Sequence, residues 1–235
     1  MPDVLSDIPV NFDSAALRQR CHVATDSDDA VALEALVDQA RALARPKALY
    51  REAFIEERGD DTVRIAGVTF TSRALRANLD GVERVFAYVA TCGAELDAIR
   101  CHADDILQPF WLDAIKSVAL AAAKAHLAKH LTRTYALGRT ASMNPGAAEA
   151  SVWPIEQQKQ LWRLLGDVEG LVGVRLTESC LMVPTKSVSG LRFPTRIDFQ
   201  SCQLCRREIC PSRSAPFDPR AWAKVSSPNG STSPR

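Results

Sequence analysis

The sequence lacks the features that most readily assign a chain to a membrane, nucleic-acid-binding or secreted class. No apolar run reaches the roughly 18 residues that a bilayer span requires, and the most apolar stretch, residues 117–123, is bracketed by Lys116 and Lys124. Because 29 Lys and Arg balance 28 Asp and Glu, the net charge of +1 argues against a broad nucleic-acid-binding face. Asp3 and Asp7 stand where a signal peptide carries positive charge, so we expect no signal peptide.

What the sequence does have is an ordinary globular composition with many cysteines. Of the 235 residues, 46% are hydrophobic and 24% charged, which suits one large domain or two small ones whose core needs no disulfides. The seven cysteines are an odd number. Without an export signal, clustered thiols indicate a reducing compartment and metal or redox chemistry. We therefore expect a cytoplasmic protein.

Hydrophobic periodicity predicts an α+β fold, because helices and strands alternate but the last two strands are adjacent. The predicted helices are 29–45, 73–79 with Ser72 as its cap, 93–104, 110–135 and 154–165. The predicted strands are 62–70, 82–90, 174–182 and 188–193. The charged stretch 52–61 is expected to be solvated. We expect four parts: an N-terminal arm 1–27, an α+β domain 28–200, a cysteine-rich metal-binding segment 201–217 and a disordered tail 218–235.

The strongest chemical signal is the C-x2-C-x4-C spacing of Cys202, Cys205 and Cys210. Three thiolates on one short segment favour a soft metal, either zinc or an iron–sulfur cluster, and the spacing does not separate the two. Cys92 is one candidate for the fourth ligand, since it precedes Gly93 at a predicted strand-to-helix junction where a thiol pKa is lowered. Other cysteines, a histidine or an exogenous ligand are alternatives. The competing interpretation is a structural zinc knuckle, or free thiols.

Two loops are the other candidate sites. Asn144-Pro145-Gly146, here called the PG loop, contains a glycine that permits close approach of backbone to a ligand. In the turn at 184–190, Lys186 lies beside hydroxyl residues that suit a carboxylate or a phosphate. The alternative interpretation of this turn is a hairpin connection with a solvated lysine.

The two loops and the segment between them are recognisable together. NPG, then WPIEQQKQLWRLLG, then VGVRLTESCLMVPTKSVSGLRF resembles the reactivation domain of vitamin B12-dependent methionine synthase. The match is close over Asn144–Phe193 and looser over Thr62–Leu131. The run from Cys202 through the CPxRxAP pattern of Cys210–Pro216 is similar to a stand-alone form of this domain. The resemblance implies a C-shaped α+β fold with a mainly antiparallel sheet flanked by helices.

The resemblance also implies a function. The family domain binds S-adenosylmethionine in a shallow groove and docks on a cobalamin domain whose cobalt has been oxidised to the inactive state. An electron donor protein then reduces the cobalt, and the sulfonium methyl traps it as methylcobalamin. The partner implied here is a corrinoid (cobalamin) methyltransferase or its cobalamin-binding protein. The residues expected to bind ligand or partner are Asn144, Pro145, Gly146, Glu178, Lys186, Ser187 and Ser189.

Two positions depart from the family pattern. The family has an arginine three residues before the proline of the PG loop, where it holds the ligand carboxylate, and a tyrosine after the loop. This sequence has Ser142 and Ala147 there, and Lys186 is the candidate to replace the missing charge.

The alternative function is a non-enzymatic corrinoid-protein binding module with structural zinc and an inactive groove. A third hypothesis is a methyltransferase with a zinc-activated thiol, and whether the chain is an enzyme stays open.

Overall fold

The structure is a computed structural model that describes residues 1–102, 104–149, 151–210 and 213–226. In chain order the strands are β1 (Asp3–Leu5), β2 (Lys47–Arg58), β3 (Thr62–Ile65), β4 (Val68–Thr71), β5 (Arg84–Thr91), β6 (Thr140–Met143), β7 (Arg175–Leu176), β8 (Met182–Val183) and β9 (Ser187–Pro194). The α-helices are α1 (Ser14–Cys21), α2 (Asp28–Leu43), α3 (Arg73–Asn78), α4 (Leu107–Thr134), α5 (Gln158–Leu165), α6 (Val168–Val172) and α7 (Pro219–Ser226). Short 3-10 helices occupy Ala94–Ala98, Ile155–Gln157 and Ser201–Leu204.

One antiparallel sheet organises the described residues. Its strand order is β4-β3-β2-β5-β9-β6, and β1 adds to β2 off this path. Every pairing in it is antiparallel, and β7 and β8 form a separate small ribbon. The predicted α+β class with a mainly antiparallel sheet is confirmed.

The sheet is covered on both faces because its central strand β5 is apolar in both directions. Alternate residues point to opposite faces of a strand. Val85, Ala87 and Val89 therefore pack with α3, α5 and α6, whereas Phe86 and Tyr88 pack with the second half of α4. A third apolar cluster joins α1, α2 and the first half of α4. With both faces of the sheet covered by helices, the edge strand β6 and the loops that follow it are the places available for a ligand-binding site.

Glycine is required where β5 passes into the 3-10 helix Ala94–Ala98. Gly93 has a φ of 91°, which L side chains rarely adopt, and a Cβ there would lie 2.5 Å from the carbonyl oxygen of Arg45. The chain therefore turns sharply after Cys92. The helix predicted over 93–104 is wrong in length, since Ala94–Ala98 is the only helical segment among the described residues of that range.

The two ends of the chain differ from the prediction. The N-terminal arm 1–27 contains β1 and α1, and Leu17 is buried in the helical cluster. Within the predicted tail 218–235, residues 219–226 form α7, whose Trp222 packs on the core beneath the sheet. Residues 227–235 lie outside the described part of the chain. None of the described helices has the length and apolar character needed to span a membrane.

Candidate ligand groove and cysteine pocket

A groove of about 330 Å³ opens where the PG loop faces α5 and the turn between β8 and β9. Its walls carry mostly apolar side chains with a few amide and hydroxyl groups. The lining residues are Asn144, Pro145, Gly146, Ala147, Ile155, Gln158, Cys180, Leu181, Met182, Thr185, Val188 and Ser189. Four predicted site residues, those of the PG loop and Ser189, are thus brought together.

Asn144 fixes the PG loop to the sheet. Its Nδ2 donates to the carbonyl oxygen of Ser189 at 2.6 Å and to the hydroxyl of Tyr88 at 2.8 Å. Gly190 makes this contact possible, because a Cβ there would lie 2.3 Å from the Met143 carbonyl oxygen and 2.4 Å from Asn144 Nδ2. The loop therefore approaches β9 more closely than any residue with a side chain at 190 allows.

The floor of the groove is a hydrogen-bonded pair, of which sequence reasoning identified Ser189 and missed Gln158. The hydroxyl of Ser189 donates to Oε1 of Gln158 at 2.9 Å, and Gln158 Nε2 donates to the carbonyl oxygen of Cys180 at 3.2 Å. Both Ser189 and Gln158 are buried. The amide of Gln158 thus links α5, β9 and the β7–β8 turn. Its position at the start of the helix that follows WP is the only signal in the sequence.

Three other predicted residues lie outside the groove lining. Lys186 Nζ pairs with a carboxylate oxygen of Asp113 on α4 at 2.9 Å. The Ser187 hydroxyl donates to the Pro184 carbonyl oxygen at 2.8 Å and is hydrogen-bonded to the Thr91 hydroxyl at 2.9 Å, so it holds the turn. Glu178 is exposed. The charge of Lys186 is therefore already matched by an acidic partner.

The three clustered cysteines share a second pocket of about 430 Å³. It is lined by Gly146, Ala147, Ala148, Glu149, Cys202, Cys205, Arg207, Cys210 and Arg213. Because Gly146 and Ala147 also line the groove, the PG loop is the wall between the two cavities. We call the second cavity the cysteine pocket.

Cys202 is the cysteine of this pocket whose surroundings most clearly favour the thiolate form. Its Sγ accepts hydrogen bonds from the hydroxyl of Ser214 at 3.3 Å and from the Ser214 backbone N–H at 3.5 Å. These bonds, with the charge of Arg213, lower the pKa of Cys202. Arg213 also donates to the carbonyl oxygens of Cys202, Cys205 and Ala215 at 3.2–3.5 Å, which orders the segment.

The described part of the chain contains no preorganised metal centre. Across residues 1–102, 104–149, 151–210 and 213–226, no three His, Cys, Asp or Glu side chains are grouped closely enough to hold a metal ion. Pro211 and Ser212, which follow Cys210, lie outside the described residues. The structure places the three thiols around one pocket, and metal binding there stays a prediction.

Cys92 lies elsewhere. It is fully buried in the cluster of α1, α2 and α4, and it does not line the cysteine pocket. Burial raises the pKa of Cys92 to about 11, with Lys116 opposing the effect. The predicted lowering of this pKa is wrong, because a thiol with no solvent exposure is dominated by desolvation rather than by the five-residue 3-10 helix that follows it.

Glu149, three residues after the PG loop, ties the cysteine segment to the chain beside that loop. Its carboxylate accepts from Nε and Nη2 of Arg206, each at 2.8 Å, and from the Arg206 backbone N–H at 3.2 Å. This pairing lowers the pKa of Glu149. The same guanidinium stands 4.7 Å from the centre of the Trp222 ring on α7. Loop, cysteine segment and C-terminal helix are thus held by one arginine.

Comparison with known proteins supports the resemblance seen in the sequence. The family model described as vitamin B12 dependent methionine synthase, activation domain, matches residues 127–199. A crystal structure of the MetH reactivation domain bound to AdoHcy shares the fold, with a TM-score of 0.54 and 18% sequence identity over 85% of this chain and 81% of that chain. No curated protein matches the sequence. The matched segment contains the whole groove lining.

Proposed function

Because residues 127–199 match the activation-domain model and the chain has the fold of the MetH reactivation domain, we propose that this protein takes part in the reductive reactivation of a corrinoid methyltransferase. The observation that carries the proposal is the groove between the PG loop and the β8–β9 turn. The structural neighbour was solved with AdoHcy bound. We place an S-adenosyl ligand, S-adenosylmethionine in the working protein, in the corresponding groove of this chain.

The groove has the chemistry to hold the nucleoside part of such a ligand. Its volume of about 330 Å³ is at the lower end of the roughly 300–1,000 Å³ typical of ligand pockets. Apolar side chains such as Ile155, Met182 and Val188 suit the faces of a purine, and backbone groups of the PG loop suit its polar edges. The role of the protein is to bind and orient, because the cobalamin of the partner and the sulfonium methyl supply the reactivity.

The partners in this proposal are a corrinoid methyltransferase, or its separate cobalamin-binding protein, and an electron donor protein. One electron from the donor reduces the inactive cobalt, and transfer of the sulfonium methyl leaves S-adenosylhomocysteine as product. We place these events in the cytoplasm, on the grounds of the odd number of cysteines.

The cysteine pocket is proposed as a metal site, either an iron–sulfur cluster that relays electrons or a zinc ion that orders the segment. Support comes from the three thiols that line one cavity and from the two hydrogen bonds that favour the Cys202 thiolate. Anaerobic purification with iron, zinc and acid-labile sulfide analysis tests this. We expect one of these metals in wild type and in Cys101→Ser, a cysteine outside the pocket, and its loss in Cys205→Ser. Equal metal content in all three would refute the site.

Ligand binding tests the groove directly. We expect S-adenosylhomocysteine to bind wild type and Leu171→Trp, and binding to be lost in Leu181→Trp. Leu181 and Leu171 are both exposed, and only Leu181 lines the groove. Circular dichroism confirms that each variant folds. If both tryptophan variants bind equally, the ligand does not occupy this groove.

One observation favours the alternative of a corrinoid-protein binding module with an inactive groove. None of the residues that line the groove is a Lys, Arg or His, so the lining offers no cation to a ligand carboxylate. Under this alternative the protein would bind a corrinoid partner in a pull-down but show no affinity for S-adenosylhomocysteine.

A further inference from the structure

Arg192 is a half-buried guanidinium on β9, next to the edge strand β6, and has no acidic partner among the described residues. Its Nη2 donates to the hydroxyl of Thr140 at 2.6 Å and its Nη1 to the hydroxyl of Ser142 at 3.4 Å. Its Nε is buried and has no acceptor. Burial lowers the pKa of Arg192, which reflects the cost of keeping this charge away from water.

Arg84 on the neighbouring strand β5 differs from Arg192 because it has an acidic partner. Arg84 pairs with Glu52 at 3.2 Å and lies 5.3 Å from the centre of the Tyr135 ring. A carboxylate carries the opposite charge and can accept two parallel N–H bonds from a guanidinium, which a single hydroxyl cannot. The 3.4 Å bond from Nη1 to the Ser142 hydroxyl is long, so Arg192 keeps donor capacity at Nη1 that an incoming carboxylate would use.

The position of Arg192 connects it to the groove. It pairs in register with Ser142, and Ser142 lies two residues before Asn144 on the same side of the chain, about 7 Å away along an extended backbone. Asn144 lines the groove and donates to the Tyr88 hydroxyl. Ser142 and the charge of Arg192 act on that same hydroxyl. A polar path thus runs from the guanidinium to the groove wall.

We propose that Arg192 binds the carboxylate of an amino-acid-bearing ligand whose nucleoside part lies in the groove. This inference rests on the proposed function and deepens it. The family pattern described above places this charge on the strand before the PG loop, at position 142. In this chain the arginine stands directly across the ladder on β9, opposite the small Ser142. Lys186 does not fill this role, because it is paired with Asp113.

Two ligands that differ by the carboxylate separate the proposal from a purely structural role. S-adenosylhomocysteine carries the amino-acid group, and 5′-methylthioadenosine is the same thioether nucleoside without it. We expect Arg192→Gln to weaken the binding of S-adenosylhomocysteine about ten- to hundredfold, measured by calorimetry. The affinity for 5′-methylthioadenosine should stay unchanged. Arg84→Gln, the matched control, should leave the affinity for both ligands unchanged.

A second variant guards against misfolding of Arg192→Gln. Placing Ser142→Arg in the Arg192→Gln background returns the guanidinium to the opposite strand, and it should restore S-adenosylhomocysteine affinity to within severalfold of wild type. Equal weakening of both ligands, or no weakening of either, overturns the carboxylate assignment and leaves the groove proposal standing. A wild-type protein that binds neither ligand overturns both proposals.

Discussion

The contact between Gly190 and the PG loop yields the sharpest prediction. In Gly190→Ala the new Cβ would lie 2.3 Å from the Met143 carbonyl oxygen, so the loop must retreat by about 1 Å to reach an ordinary 3.4 Å contact. That retreat strains or breaks the two hydrogen bonds of Asn144. Two lost bonds cost about 1–3 kcal/mol and overpacking costs about 1–3 kcal/mol more. We expect a total loss of about 2–6 kcal/mol in the free energy of unfolding.

Gly138→Ala is the matched control, because a Cβ at Gly138 meets nothing within 4 Å and its φ is not positive. We expect it to be neutral or slightly stabilising, by up to about 1 kcal/mol. Urea unfolding followed by circular dichroism measures both variants, and calorimetry with S-adenosylhomocysteine measures the groove. If Gly190→Ala matches Gly138→Ala in stability and affinity, the close approach of β9 and the PG loop is not what shapes the site.

Three further predictions concern thiols and the loop anchor. Burial raises the pKa of Cys92 from 9.0 to about 11, so the folded state favours the protonated thiol. The corresponding contribution to the free energy of unfolding, about 2–3 kcal/mol, is present below pH 9 and is lost as the pH rises towards 11. Urea unfolding between pH 8 and 11 should show this fall in wild type and not in Cys92→Ala; parallel curves would contradict it. Cys202 of metal-free protein should react with iodoacetamide faster than Cys205 at neutral pH, and Ser214→Ala should slow it by removing the hydroxyl bond; mass spectrometry that finds equal rates would refute this. Glu149→Ala should expose the cysteine segment to trypsin, whereas Glu156→Ala, an exposed glutamate outside the anchor, should not; identical digestion patterns would show that the ion pair does not hold the segment.

The sequence predicted the fold class because helix and strand periodicity are local patterns. The meeting of the PG loop with the start of β9 was implied by the resemblance to the reactivation domain. Sequence reasoning missed β2 because its second half is dense in charge. The structure shows why: Ala53 and Ile55 are buried on one face, whereas Phe54 and Glu56 are exposed on the other, where Glu52 pairs with Arg84. Charge on the outward positions thus concealed the alternation of a half-buried strand.

The candidate site was predicted in part for a similar reason. Lys186 is near the groove in sequence, but its partner Asp113 comes from a distant helix that no local pattern connects to it. Arg192 was not singled out, because its importance depends on a register opposite Ser142 that exists only once β6 pairs with β9. Cys92 occupies a strand end as predicted, and burial decides its chemistry.

The wall formed by Gly146 and Ala147 has a consequence for the energetics of the two cavities that share it. An occupant that shifts this backbone from one side changes the free energy of binding on the other. Thermodynamic linkage makes such a coupling reciprocal: the factor by which a metal at the thiols alters the ligand affinity is the factor by which the ligand alters the metal affinity. The loop is thus placed to let each cavity sense the occupancy of its neighbour.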